Sequence, residues 1–358
     1  MVRWDKVTSS ILALLAPERL FQREIQRCGE IIDPHIHIAP WFQTVEPLLE
    51  ELQSANISQT LLYNPYPKMT LPFDMNTFTH SIAVQSEGIV YSLASLNTTH
   101  DIWEDHREEE MARLASFLTK PEVLGTKLAP PHTCLKLQSP QMDDTLRTIH
   151  SADRAKVLAI HIGTTPFCGP LGEQFNLTMC CQRDYVDPEL LIPQIESYPD
   201  ITFVLLHAGH EFLPPDSPYY YNFEFVKKSI TLAKTYDNVW ISLSAMFAQN
   251  PDMSWKYPGG LENCRTMKRA NVTHKLLWGS DASYFRGQMR TVLIQSIRAM
   301  AQAGFTPSER CWILAGAART VFQIPTLGLS QKPLQQHPPP NQRVQGSEQE
   351  DITTKEEL

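Results

Sequence analysis

The 358-residue chain reads as an α/β protein, and more narrowly as a (β/α)8 TIM barrel with an N-terminal helix and a disordered C-terminal tail. Two observations carry this reading. Short apolar runs recur eight times, and segments of helical periodicity lie between them. A third separates a closed barrel from an open, doubly wound sheet. The open sheet needs a glycine-rich phosphate loop after an early strand, and neither G-x-G-x-x-G nor G-x-x-x-x-G-K-[ST] occurs.

Along the chain, a helix is expected over about residues 5–27, ahead of the first strand and packed on the barrel floor. The strands are then read at GEIIDPHIH (29–37), ISQTLLYN (57–64), GIVYSLASL (88–96), VLGTKLAP (123–130), VLAIHIG (157–163), ITFVLLHAG (201–209), NVWISLS (238–244) and KLLWGSD (275–281). Each is mostly aliphatic or β-branched, as befits strands buried on both faces. In QMDDTLRTIHSADRA, Met142, Leu146 and Ile149 fall at helical spacing, and VEPLLEELQSAN, DHREEEMARLASFLTK and YNFEFVKKSITLAKTY behave alike. In DPELLIPQIESYPD, Asp187 suits an N-cap and Pro188 the first helical position, but Pro193 falls inside the expected helix. SERCWILAGAARTVF closes the repeat. The expected division is an N-terminal helical extension over 1–27, the barrel over 28–324 and the tail over 325–358, where Pro, Gln and charge leave nothing to build a core.

Composition narrows the function. A net charge of −8 and a pI near 5.8 give no footing for nucleic acid, and no basic stripe is present. The six apolar residues ILALLA fall far short of the roughly 18 a membrane span needs, and lack the cleavage site of a secretory signal. Seven cysteines, odd in number, scattered and without CxxC spacing, are expected to be reduced thiols of a cytoplasmic protein. On that expectation the N-x-S/T sequons at Asn56, Asn97, Asn176 and Asn271 carry no weight, and the terminal KEEL is a coincidental likeness to a retention signal.

In a (β/α)8 barrel the C-terminal strand ends build the active site. There the chain places His35 and His37 on strand 1, Lys127 on strand 4, His161 on strand 5, His207 on strand 6 and Asp281 on strand 8. His35 and His37, two residues apart, share a face. A lone histidine in an apolar strand is usually a hydrogen-bonded core residue. Four imidazoles and a carboxylate converging on one mouth are costly to bury without a common partner, and a divalent cation is the economical one. The long loops after strands 5, 6 and 7 carry Phe167, Tyr219, Tyr220, Tyr221, Phe247 and Trp255, which either wall a planar substrate or pack on one another.

These segments together resemble the amidohydrolase superfamily, in its branch of amidohydrolase-related hydrolases and decarboxylases. The correspondence is DPHIH, GTKL, AIHIG, YPDITFVLLHAGH and LLWGSDAS, with a closing ILAGAARTVF in which Ala317 stands where the family often has Asn. The resemblance covers roughly residues 28 to 324. It implies one divalent metal held by His35, His37, His161 and Asp281, with zinc the best suited and manganese or iron as alternatives. Asp281 is implied as the general base, His207 as a water-activating or supporting residue and Asp33 as a carboxylate behind the strand-1 histidines. Lys127 opens a fork. If carbamylated, it would bridge a second metal held by His161 and His207; as an amine, it would bind a substrate anion at a mononuclear site, which the surrounding sequence favours. Arg286, His210 and Trp41 are candidate substrate contacts. The implied reaction is hydrolysis of an amide, cyclic amide or ester bond in a small molecule; the alternative is metal-dependent non-oxidative decarboxylation, and a non-catalytic metal-binding barrel is the third reading. A small-molecule substrate is the expected partner, with homodimer formation in keeping with such barrels.

Overall fold

Eight strands form where the apolar runs predict them, and each pairs in parallel with its neighbour in sequence. In the computed structural model, which describes residues 17–37, 44–63, 75–96, 100–247, 256, 259–282 and 286–327, they are β1 (Ile32–His37), β2 (Gln59–Tyr63), β3 (Val90–Ser95), β4 (Val123–Leu128), β5 (Val157–His161), β6 (Thr202–Leu206), β7 (Val239–Ser242) and β8 (Leu276–Leu277). The sheet closes just beyond β8. Ile36 bridges Ala282 in parallel, the Asp281 amide donates to the His35 carbonyl at 2.8 Å, and the His37 amide donates to the Ala282 carbonyl at 3.1 Å. The seam therefore runs through the residues of the candidate site.

Two apolar compartments hold the barrel. One lies between the strands and the outer helices and takes in Leu48, Leu52, Met142, Leu146, Ile149, Leu293 and Ile297. The other fills the lumen with Leu61, Tyr63, Leu93, Ala159, Val204 and Leu206, and is joined by Ala317, Ala318, Val321 and Phe322 of the helix Ala317–Phe322. This largely apolar filling of the lumen leaves the strand ends as the place for polar groups.

The predicted helices appear, with two instructive changes. Ser139 caps the helix Pro140–Ser151 by accepting from the Met142 amide at 3.3 Å, and the stripe Met142, Leu146, Ile149 is fully buried. Around Pro193 the chain makes a 3-10 turn, Pro188–Leu191, capped by Asp187, and then starts a second helix, Ile192–Ser197, with Pro193 in its first turn. A proline that would break one long helix instead opens a short one. The closing segment is also broken: Pro307–Cys311 and Ala317–Phe322 flank a π-helical turn over Trp312–Gly316. The N-terminal helix is described over 17–28, with Phe21 in the core. Its buried Glu24 accepts from Arg310 Nη2 at 2.7 Å and Nε at 3.1 Å. The expected start of this helix and the expected tail lie largely outside the described residues.

The cysteines correct the expectation of reduced thiols. Three disulfides join Cys28 to Cys311, Cys134 to Cys180 and Cys168 to Cys181, with Cα separations of 5.0, 5.1 and 5.9 Å. Partners 283, 46 and 13 residues apart are brought together by the barrel, which spacing along the chain does not reveal. The seventh, Cys264, is buried, and burial pushes its thiol pKa up. Unfolded without reductant, the chain is expected to show one titratable thiol, Cys264, and all seven after reduction. Three or more thiols before reduction would contradict these cross-links. The cytoplasmic expectation rested on reduced thiols and loses that footing. Among the described residues no helix is long and apolar enough to cross a membrane.

Candidate metal centre at the barrel mouth

The site is built first from the seam. Asp33 is fully buried near the start of β1, and its Oδ1 accepts from the Ser280 amide at 2.9 Å and the His35 amide at 3.2 Å. It thus ties β1 to the segment after β8. Of the strand-1 histidines, Asp33 meets the backbone amide of His35 rather than a ring. Burial raises the Asp33 pKa to about 7, against the hydrogen bonds from Ser280 and His35, which lower it.

Tied together in this way, β1 and β8 bring three ligand atoms to one point. Asp281 Oδ1 lies 2.7 Å from His35 Nε2 and 2.6 Å from His37 Nε2. The three donor atoms all fall within 4.8 Å of one another. Burial holds the His35 imidazole neutral, well below the usual histidine range, and its Nδ1 has no hydrogen-bond partner among the described residues. Burial opposes the charge on Asp281, but His35, His37 and His207 outweigh it and keep the carboxyl well below the ordinary carboxylate range. Two imidazoles and an ionised carboxylate form a donor set suited to a first-row divalent cation.

A second group of rings lies alongside. His207 stands 5.2 Å from His35 and 4.3 Å from His161, centroid to centroid, and His132 is 5.1 Å from His161. His161 is therefore beside the three clustered ligands rather than within their group. The His207 Nδ1 lies 3.1 Å from the Ser244 carbonyl and 3.3 Å from the Ser244 hydroxyl; in the tautomer that donates from Nδ1 to the carbonyl, Nε2 keeps its lone pair. Burial lowers the His207 pKa to about 4 and that of His132 to about 3.

The backbone at this rim is unusual. His207, Ala208 and Gly209 all have positive φ (60, 56 and 74°), as do Ala245 and Asp281 (60 and 57°). Left-handed non-glycine residues are uncommon, and here they follow strands 6, 7 and 8, where they turn the chain sharply around the mouth. Gly163 is required for the same reason. A Cβ there would come within 2.6 Å of the Gly209 carbonyl carbon, so side chains are excluded where the β5 and β6 loops cross.

Lys127 is buried, and burial lowers its pKa to about 7, partly offset by Asp281. Its Nζ lies 5.2 Å from the centre of the Tyr63 ring. Tyr63 also stands 4.9 Å from His35 and 5.2 Å from His37, and so forms a wall between the histidine pair and the lysine. Neither Tyr63 nor His132 is singled out from the sequence. Tyr63 is indistinguishable there from a strand-end core aromatic, and His132 in APPHT depends on a short helix, Pro130–Thr133, to face the mouth.

The outlying candidates separate. His210 is fully buried, with Nδ1 3.0 Å from Asn263 Nδ2 and its ring packed on Phe212 and Phe223, so it ties the β6 loop to the helix Gly260–Arg269. Arg286 is exposed in the turn before the helix Gln288–Gln302. Trp41 and Trp255 lie outside the described residues. Several loop aromatics pack on one another: Tyr221 on Phe225, Tyr220 on Phe223 and Phe167 on Phe175, with Phe247 in the core.

Comparisons with known proteins bear on the family and the fold. An amidohydrolase family model matches residues 104–324, more than half of the 358-residue chain, spanning Lys127, His161, His207 and Asp281 but not β1. No curated protein matches. Among solved structures, a protein described as a probable 2-pyrone-4,6-dicarboxylic acid hydrolase from Acinetobacter baumannii is 18% identical, with a TM-score of 0.52 over 82% of this chain and 99% of its own. The 5-carboxyvanillate decarboxylase of Sphingomonas paucimobilis is 13% identical, with a TM-score of 0.52 over 83% and 99%. A 2,6-dihydroxybenzoate decarboxylase is 12% identical, with a TM-score of 0.54 over 82% and 99%. At these identities the structures share the fold, and the family match spans most of the barrel with its strand-end residues: the chain belongs to the amidohydrolase family.

Proposed function

We propose that the protein is a metal-dependent hydrolase of an amide, cyclic amide or ester bond in a small molecule. The observation that carries this reading is a half-buried carboxylate, Asp281, held ionised against His35 and His37 at the barrel mouth. One divalent ion, zinc by the donor set, would be held by His35, His37 and Asp281, with His161 close by; bound there it supplies Lewis acidity toward a substrate carbonyl and toward water. The chain's own contribution is the handling of protons. Asp281 starts the cycle ionised and can take a proton from water, then return it to the leaving group. In the tautomer that donates from Nδ1, the His207 Nε2 lone pair offers a second acceptor on the same side. Hydrolysis needs such a group to begin deprotonated.

Decarboxylation reverses the requirement, because the substrate carbon must receive a proton from a group that begins protonated. The observation favouring it is Lys127, a buried amine with a pKa near 7, able to hold a substrate carboxylate. The same lysine, if carbamylated, would hold a second ion with His161 and His207.

The test combines metal analysis with a substrate screen. The purified full chain is expected to carry about one equivalent of zinc, lost in His35→Ala, reduced in His161→Ala and kept in Lys127→Ala. Two equivalents that fall to one or none in Lys127→Ala would assign the binuclear form. No metal under metal-replete conditions would overturn the reading. A screen of lactones, cyclic amides and aromatic acids, read by acid release and by CO2 release, separates the two reactions.

A further inference from the structure

We infer that Asn176 is a site of N-linked glycosylation, and that its glycan covers an apolar tip of the loop after β5. This inference is independent of the reaction proposed above. It rests on three features brought together by the fold. The first is the set of three disulfides, which form and persist in an oxidising compartment. In the secretory route of a eukaryotic cell, an N-x-S/T sequon becomes an acceptor.

The second is the setting of Asn176-Leu177-Thr178. All three residues are exposed, and Asn176 takes a left-handed backbone (φ 51°) just past the short helix Pro170–Gln174. The amide and the hydroxyl that the transferase must engage are therefore both at the surface. The other described sequons differ. After Asn271, Val272 and Thr273 are buried, and Asn56 is half-buried, with Ile57 beneath it. Asn97 lies outside the described residues.

The third is the surface around the sequon. Four large hydrophobic side chains are exposed among the described residues, and three of them, Leu171 (38%), Phe175 (58%) and Leu177 (40%), flank Asn176. The loop cannot easily fold them away. The Cys168–Cys181 bridge closes its base, and Cys134–Cys180 ties that base to the chain after β4. A cross-linked loop that presents Phe175 to solvent beside a glycosylation acceptor is explained if a sugar lies over it.

In the modification, the Nδ2 of Asn176 forms a bond to the anomeric carbon of an oligosaccharide carried on a lipid diphosphate. The bond from that carbon to the diphosphate oxygen breaks, the lipid diphosphate leaves with the electron pair, and Nδ2 gives up one proton. No oxidation state changes.

The test uses the full chain isolated from the cells that make it. Treatment with peptide N-glycosidase is expected to lower its mass and to convert the Asn176 side chain to a carboxylate in the corresponding peptide. The shift should vanish in Asn176→Gln and in Thr178→Ala, the second of which keeps the asparagine and removes only the sequon. Both positions are exposed, so both variants should fold and keep the wild-type disulfides. An unmodified Asn176 in a chain bearing the three disulfides would overturn the proposal, as would a glycan mapped only to Asn56, Asn97 or Asn271. Seven free thiols in the isolated chain would remove its premise and overturn it too.

Discussion

Asp281→Asn is expected to lower turnover by about 10^3-fold or more while leaving the barrel folded, a loss of roughly 4 kcal/mol of transition-state stabilisation. Asparagine keeps the size of the side chain and an oxygen facing His35 and His37, but loses both the negative charge and the capacity to accept a proton. It also suits the backbone. Asp281 has a φ of 57°, and asparagine tolerates this left-handed region better than most residues. Alanine would add strain at the seam, where the Asp281 amide closes the sheet on the His35 carbonyl, and would confuse a chemical effect with a structural one. The variant should keep a wild-type circular dichroism spectrum, but its midpoint of thermal unfolding, measured without metal, should fall because the ionised carboxylate beside His35 and His37 is lost, and its metal affinity should drop. Turnover within threefold of wild type would remove Asp281 from the role of base. Asp33→Ala should act by another route. Its effect runs through the Ser280 and His35 amides, so it should loosen the seam and lower thermal stability along with activity.

The barrel was legible because buried parallel strands announce themselves as continuous apolar runs, and the histidines because each interrupts such a run at its end. Strand order in a closed barrel brings His35, His37, His161, His207 and Asp281 to one mouth, but does not reveal that His35, His37 and Asp281 cluster most tightly, with His161 to the side. What could not be placed was whatever depends on the third dimension at finer scale. Asp33 acts through two backbone amides, one of them 247 residues away in sequence, and nothing in DPHIH distinguishes that from ring support. Cys180 and Cys181 are adjacent yet pair with different partners on different segments, a pattern fixed by how the loops after β4 and β5 meet. Pro193 was ambiguous because one residue type both ends and begins helices, and only the packing of Leu191 and Ile195 in the core settles which. The loop aromatics show the same limit: Tyr221 donates to the Cys181 carbonyl at 3.0 Å, a local tie that no spacing predicts.

Lys127→Met is expected to stabilise the metal-free protein at pH 6 by about 2–5 kcal/mol, and the advantage should shrink as pH rises. Burial lowers the Lys127 pKa from 10.5 to about 7 in the folded chain. Below pH 7 the ammonium is charged in both folded and unfolded states, and the folded state bears the full penalty of burying it. Between about 7 and 10.5 the unfolded chain binds more protons than the folded one, so wild-type stability rises with pH through that window relative to methionine. Above 10.5 the amine is neutral in both and the difference levels off. Groups such as Asp33 titrate in both proteins and largely cancel in the comparison. Denaturant unfolding at pH 6, 8 and 10 checks the trend, and a difference that does not change with pH would mean that Lys127 is not a buried titrating amine. The same experiment in bicarbonate with added metal resolves the fork at this residue. A lysine that reacts with CO2 to hold a second ion would gain stability there while Lys127→Met could not, reversing the order of the two proteins. An amine kept to receive a substrate anion would leave the order unchanged, since bicarbonate then offers no bond that methionine lacks except a weak ion pair.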